Sequence, residues 1–390
     1  MRIVTIALSL SLVWGGQVLA ADDSPGDPSF SMLPSLADVQ NNCIVRLRDD
    51  VSKLDVEGRA HGLLARANAM NAANGRANAS LKHVYKHSIK GFTLDMPCDK
   101  AQSAFGDDAE VESFTPDSIM AASKGRPNAP TTVSPQVMPW SVKRIGGPVN
   151  GEARTAWVID TGIDIGNADL NVDTSSNAFS VFTDRRNAGF NDKNGHGTHV
   201  AGTIAAIDNN IDVVGIAAGA LVVPVKVLDA KGMGTASGVI AGVDHVAAHA
   251  SPGDCANMSL GGGVNQALDD AVVAASNNGI FFAIAAGNDG DDANKHSPAR
   301  ANGPFVFTIS ATDSNDNMPW WSNYGTPIDY AAPGVNILSL KLGGGTTIMS
   351  GTSMATPAAC GVLLITNGQP ASDGVAGMDP DGTPDPIVHL

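Results

Sequence analysis

Charge is scarce in this chain. Only 16% of its 390 residues are Asp, Glu, Lys or Arg, which argues against a disordered or coiled-coil protein. Basic residues are the scarcer sign, 24 against 39 acidic, for a formal net charge of −15. The deficit is concentrated downstream, where residues from Pro135 onward include 24 acidic and 11 basic side chains. Phosphate recognition needs clustered Lys and Arg, so nucleic acid is not an expected partner. Long apolar runs are also missing. The stretch from Ile3 to Trp14 is too short to span a bilayer. With Arg2 before it and Val18-Leu19-Ala20 after it, residues 1–20 read as a secretory signal peptide cut after Ala20. No later segment reads as transmembrane, so no membrane partner is expected. There is no internal repeat. Cysteines number four. In a secreted chain four suggest disulfides, with three possible pairings.

Glycine is plentiful, at 43 residues, and suits a compact α/β protein with tight turns. Residues 21–40 read as a flexible leader. Residues 41–116 form a small unit. Cys43 to Leu47 reads as a strand, Asp55 to Ala69 as a helix, and Leu81 to Ile89 as a second strand. Lys90 to Leu94 supplies a turn and third strand, Asp99 to Ala104 a helix and Glu110 to Phe114 a last strand. That β-α-β-β-α-β order is ferredoxin-like. Residues 117–134 read as a linker. Residues 135–370 then alternate apolar strands with helical stretches. Thr155 to Ile159, Leu221 to Val227, Cys255 to Leu260, Ile280 to Ala285 and Val306 to Ser310 are the strands. His196 to Ile207, Ala236 to Ala248 and Val264 to Asn278 are the helices. The expected fold is α/β, a doubly wound, mostly parallel sheet with helices on both faces. Residues 371–390 are a Gly-, Asp- and Pro-rich tail.

Three segments carry the chemistry. They are Val158-Ile159-Asp160-Thr161-Gly162, Asn194-Gly195-His196-Gly197-Thr198-His199-Val200-Ala201-Gly202 and Gly351-Thr352-Ser353-Met354-Ala355-Thr356-Pro357. A serine hydroxyl becomes nucleophilic when an imidazole takes its proton. The imidazole in turn needs a carboxylate to hold its tautomer and orientation. Asp160 closes an apolar strand, at the carboxyl end where active sites of open α/β sheets form. His196 and Ser353 each open a helix. The order Asp, His, Ser is that of subtilisin. An esterase elbow would place its Ser before the other two. A zinc reading of His196 and His199 fails on spacing, because zinc helices pair histidines at i and i+4 with a Glu between. The chain therefore resembles the subtilisin-like serine proteases, or subtilases, over Gln136 to Thr366 and in the unit before it.

The resemblance implies a secreted serine endopeptidase made as a self-processing zymogen. Its substrates would be polypeptides, and residues 41–116 would be its own inhibitory propeptide. Asp160, His196 and Ser353 would be catalytic, with His199 structural. Asn288 and the Ser353 N–H would form the oxyanion hole. Gly232-Met233-Gly234 and Ser259-Leu260-Gly261-Gly262 would hold an extended peptide as an added strand. A wall residue that is often Tyr in the family is Ala236 here, which implies an open pocket for the fourth residue before the cut. Asp289, Asp291 and Asp292 lie near the expected primary pocket, as a selector of basic side chains or as solvated loop carboxylates. No catalytic metal or organic cofactor is implied. A structural Ca2+ is implied, with side chains of Gln136, Asp169 and Asn209 and carbonyls of Ile207, Ile211 and Val213 as ligands. In the ferredoxin-like sheet the first and third strands are neighbours, which favours a Cys43–Cys98 disulfide and leaves Cys255 and Cys360 as a second pair or as buried thiols. A maturation cut would fall between Asp117 and Gln136. The expected state is a monomer. The chain departs from the family at Pro357-Ala358-Ala359-Cys360-Gly361, where Pro-His-Val-Ala-Gly is usual, and in the tail. A catalytically silent subtilase fold acting as a binding protein is the alternative, disfavoured by an intact triad.

Overall fold

The computed structural model of the protein describes residues 36–122 and 135–390. The expected signal peptide lies outside the described residues, as do most of the leader and residues 123–134 of the linker. Among the described residues no helix is long and apolar enough to cross a membrane.

The apolar runs pair into a ten-stranded sheet. Its order is Ala371–Val375, Pro386–His389, Ile328–Pro333, Val306–Thr312, Phe281–Ala285, Cys255–Met258, Thr155–Asp160, Leu221–Lys226 and Asn171–Val172, with Phe179–Ser180 also paired to Leu221–Lys226. All neighbours are parallel except the terminal pair of Ala371–Val375 with Pro386–His389. Alternate side chains point to opposite faces. Trp157, Ile159, Val223, Val225, Met258 and Ile284 pack with residues of the Ala236–His249 and Gln266–Ser276 helices. Ala156, Val158, Val222, Cys255 and Ala283 pack with residues of the His196–Ala205 and Thr352–Thr366 helices. Both faces are covered, which is why these strands are apolar without alternation. Each fully buried Val, Ile or Leu stabilises the fold by about 1.5–3 kcal/mol.

The N-terminal unit is a four-stranded antiparallel sheet in the order Leu81–Tyr85, Gly91–Leu94, Cys43–Leu47 and Val111–Pro116. Helices Val56–Ala73 and Cys98–Phe105 cover one face. Ile44 and Tyr85 from the other face, with Ile89 of the following turn, join the core around the Ala236–His249 and Gln266–Ser276 helices. Polar contacts fix this docking. The Asp244 carboxylate accepts from the backbone N–H groups of Lys86, His87 and Ser88 at 2.6–3.1 Å. Asp117 accepts from Ser237 N at 2.9 Å and Ser237 Oγ at 2.6 Å, at the start of the Ala236–His249 helix. Arg46 pairs with Asp270 at 2.7 Å.

Three sequence readings need correction. The leader is not irregular to its end, since Leu36–Gln40 is helical. The linker begins later than residue 117, because Ile119–Ala122 is a strand paired on both edges. The tail belongs to the main sheet. Pro386–His389 pairs with Ile328–Pro333, and Ile387 and Val388 are buried. Turn residues before it concealed this tail strand. Both cysteine pairs are disulfides, Cys43–Cys98 and Cys255–Cys360, so the buried-thiol option for the second pair is set aside. Cys360 thereby ties the Thr352–Thr366 helix to the Cys255–Met258 strand.

Candidate active site

Asp160 and His196 come together where a strand end meets a helix start, and Ser353 stands at the start of another helix. Asp160 is the last residue of its strand and fully buried. His196 opens its helix and is 5% exposed. Its Nδ1 lies 2.8 and 2.9 Å from the two Asp160 oxygens. Gly197 lets the helix reach this position, because a Cβ there would stand 2.1 Å from the Gly162 carbonyl oxygen. His199 is fully buried and bonds the Ile337 carbonyl through Nε2 at 3.1 Å. Burial, with the neighbouring His196, pushes its pKa down to about 3, so it is a neutral structural imidazole.

Ser353 is buried at the second position of its helix. Its Oγ donates to the Ser259 carbonyl at 3.0 Å. Pro357 has no N–H for the Ser353 carbonyl four residues back. Ser259 Oγ donates to that carbonyl instead, at 2.9 Å. The departure motif thus keeps its proline, and Cys360 takes up the disulfide. Asn288 is held by its Oδ1, which accepts from Thr352 N at 2.8 Å and Thr352 Oγ1 at 2.9 Å. Its Nδ2 is buried without a hydrogen-bond partner. An unspent donor beside a serine at a helix start can receive a developing negative charge.

The two glycine segments flank the inserted Ile119–Ala122 strand. Met233, Gly234 and Thr235 pair antiparallel with Ala121, Met120 and Ile119. Leu260, Gly261 and Gly262 pair antiparallel with Ala122, Ala121 and Met120. Ala122 N also donates to the Gly232 carbonyl at 2.9 Å. A Cβ on Gly262 would come within 2.6 Å of the Ile119 carbonyl oxygen. Met120 is fully buried in the core that contains Ala236. Beside this strand lies a cleft of about 500 Å³ lined by Gly261–Gly263, Ala285–Asp289, Lys295, His296 and Ala299. Asp289 therefore faces the cleft. Asp291 is paired with Lys295 at 2.7 Å, and Asp292 caps the following turn through Asn294 N at 2.9 Å.

The residues expected to hold calcium also gather. Asn209 Nδ2 donates to Asp169 Oδ1 at 2.6 Å, and Asn209 N to Gln136 Oε1 at 2.5 Å. Ile207 N donates to the Asp169 carbonyl at 3.0 Å, Ile211 N to Asn209 Oδ1 at 2.7 Å and Val213 N to Asp169 Oδ2 at 3.4 Å. Asp208 bonds Gln136 Nε2 at 2.7 Å. Burial pushes the Asp169 carboxyl up to about 6. Among the described residues no three His, Cys, Asp or Glu side chains cluster as a metal site. This set has one carboxylate among amide and carbonyl donors.

Sequence reading missed several neighbours of the site. Asp192 is 2% exposed and bonds both the Asp160 turn and the His196 helix. Its signal was an acidic residue a few positions before a helix start, where unpaired N–H groups favour a carboxylate. Lys226, fully buried, donates through Nζ to the carbonyls of Thr161 and Leu228. Nothing in an apolar strand announces such a lysine. Thr352, the anchor of Asn288, is legible only in three dimensions.

A buried Asp–His pair and a helix-start serine on a doubly wound sheet define a serine hydrolase type of site. Residues 156–375 match the subtilase family, Peptidase_S8. The chain belongs to that family and is a serine endopeptidase of the subtilisin type. It is 36% identical over 351 residues to Subtilisin-like protease 3 of Arthroderma otae, covering 83% of this chain and 81% of that protein. It is 38% identical over 308 residues to Alkaline serine exoprotease A of Vibrio alginolyticus, covering 76% of this chain and 55% of that protein. The crystal structure of a cold adapted subtilisin-like serine proteinase superposes with a TM-score of 0.56 at 36% identity, over 64% of this chain and 97% of that one.

Proposed function

We propose that this chain is a secreted, self-processing zymogen whose peptidase acts through Asp160, His196 and Ser353. The observation that carries the reading is the Ile119–Ala122 strand, laid between the two glycine segments. A peptide substrate would take the same place by strand addition. In the reaction the Ser353 hydroxyl leaves the Ser259 carbonyl and attacks the scissile carbonyl carbon. His196 Nε2 takes the hydroxyl proton, and Asp160 stays ionised to hold the imidazolium through Nδ1. The tetrahedral oxyanion receives hydrogen bonds from Asn288 Nδ2 and Ser353 N–H. His196 then gives its proton to the leaving amine, and an acyl-enzyme forms on Ser353 Oγ. Water, deprotonated by His196, releases the acid.

Residues 41–116 act as the inhibitory propeptide, and the maturation cut follows Ala122 and precedes Gln136. Its segment, 123–134, lies outside the described residues. Gln136, Asp169 and Asn209, with the carbonyls of Ile207, Ile211 and Val213, bind a structural Ca2+. The donor set fits a hard cation. Asp169, buried and pushed up to about 6, is the carboxylate that a cation would stabilise in its charged form.

The test is N-terminal sequencing of the secreted product beside a Ser353→Ala control. Wild type should yield a product starting within 123–136 that a fluorophosphonate labels. Ser353→Ala should stay a precursor and resist labelling. A Ser353→Ala chain that still processes itself in pure form would sink the zymogen reading. An unlabelled but folded wild type would favour a silent binding protein.

A further inference from the structure

Asp192 lies in the loop before the His196 helix and is 2% exposed. Its carboxylate accepts five hydrogen bonds. Oδ1 takes Thr161 Oγ1 at 2.9 Å, Asn194 N at 2.8 Å and Gly195 N at 3.0 Å. Oδ2 takes Thr198 N at 3.0 Å and Thr198 Oγ1 at 2.6 Å. One side chain thus grips two segments that are distant in sequence. The first is the turn of Asp160-Thr161-Gly162. The second is the opening turn of the His196 helix, where N–H groups lack intrahelical partners.

Thr161 is the hinge of this grip. Its Oγ1 donates to Asp192 and accepts from Gly197 N at 2.9 Å. Its N–H donates to Asp160 Oδ1 at 2.6 Å, and its carbonyl takes Lys226 Nζ. Gly195 and Gly197, which bracket His196, are therefore each tied to Asp192, directly or through Thr161. A buried anion of this kind is tolerated because donors meet both of its oxygens and a buried ammonium stands nearby. A simple helix cap would need only one or two of these bonds.

We infer that Asp192 is a positioning residue, one that fixes the His196 imidazole against Asp160 by clamping the helix start to the Asp160 turn. The inference rests on the proposed triad. Asp192 touches no substrate and transfers no proton. It sets the 2.8–2.9 Å contact between Nδ1 and the carboxylate from behind, and it adds a fixed negative charge that favours the imidazolium.

Asp192→Asn is the test, because it keeps the shape, removes the charge and turns an amide toward the Thr198 donors. In matured enzyme, sites are counted with a fluorophosphonate. Turnover per counted site should fall about tenfold to a hundredfold, as small misplacements of catalytic groups do, with KM little changed. The acidic limb of kcat/KM should move to lower pH, because an anion near the imidazolium is lost. A purely structural role would reduce the number of counted sites and leave both readouts where they were, and that result overturns the inference. For a variant that does not mature, the Ser353→Ala precursor with and without Asp192→Asn serves. The low-field proton resonance of His196 Nδ1–H should shift or vanish; an unchanged resonance also overturns it. A wild type that takes no fluorophosphonate signals failure of the proposed triad instead, and the resonance in the precursor still decides the role of Asp192.

Discussion

Asn288 offers a way to separate orientation from donation at the candidate oxyanion site. Its Oδ1 is spent on Thr352 N and Oγ1, at 2.8 and 2.9 Å, while Nδ2 is buried and has no partner. Asn288→Asp keeps both bonds to Thr352 and replaces the donor with a carboxylate oxygen. Loss of one oxyanion donor costs about 10²–10³ in kcat, or about 2.7–4 kcal/mol. The carboxylate adds repulsion toward the developing oxyanion, so the Asp variant should fall at least that far. Asn288→Ala loses the same donor without adding a charge. It also strips Thr352 N of its acceptor, which costs about 1–3 kcal/mol of stability. The two variants should therefore cross over, with Asp lower in turnover and Ala lower in melting temperature. KM should move little in either, since the donor acts on charge that develops in the transition state. The assay is hydrolysis of a chromogenic peptide normalised to fluorophosphonate-reactive sites. An Asp variant that retains a third of wild-type kcat, or that loses activity only through KM, would refute the assignment.

Other outcomes can be checked on inhibited or Ser353→Ala protein, where self-digestion is absent. Chelation should lower the melting temperature and calcium restore it, because a ligand bound only by the folded state stabilises it; Asp169→Ala should abolish the response, and indifference of wild type to both additions would remove the calcium site. His199, held near 3 by burial, binds its proton only in the unfolded chain between about pH 6.5 and 3. Stability should therefore decline as pH falls through that window, and His199→Gln should flatten the decline; an equally steep acid limb in the variant counts against it. Gly262→Ala places a Cβ 2.6 Å from the Ile119 carbonyl oxygen, so it should weaken propeptide inhibition and raise KM for extended peptides more than for a one-residue ester. Equal effects on both substrates would mean that no strand is added there.

Continuous apolar runs announced the parallel sheet, because strands covered on both faces need no alternation. Leu221–Lys226 and Phe281–Ala285 fall close to where the sequence puts them. Asp160, which closes the Thr155–Asp160 strand, was legible for the same reason. Asp160 breaks an apolar run, and such breaks are costly unless a function or a partner accounts for them. What escaped reading was tertiary. Asp192 and Thr352 look like ordinary capping and turn residues until their partners 31 and 64 positions away are known. The Ile119–Ala122 strand was hidden because its neighbours, Met233–Thr235 and Leu260–Gly263, are both distant in sequence. The Pro386–His389 strand was hidden by the turn residues before it, which outweigh four residues of strand signal.

The contacts of the N-terminal unit bear on how such a zymogen would mature. A cut after Ala122 opens one bond of the chain, yet the unit's grip on the enzyme lies elsewhere. Asp244 collects three backbone N–H groups from the turn at Lys86–Ser88. Asp117 meets Ser237 at the start of the same helix, and Tyr85 Oη donates to the Ser237 carbonyl at 3.1 Å. Ile44, Tyr85 and Ile89 share the enzyme's own core. All of these contacts join the two pieces without involving the cut bond, and both disulfides lie within one piece or the other. In such a zymogen cleavage and release would therefore be separate steps. A freed strand would keep the main-chain pairing with Met233–Thr235 and Leu260–Gly262 that the intact chain makes, so the cut enzyme would remain inhibited by its product until this unit departs. Activity would then follow loss of the unit rather than cleavage of the bond.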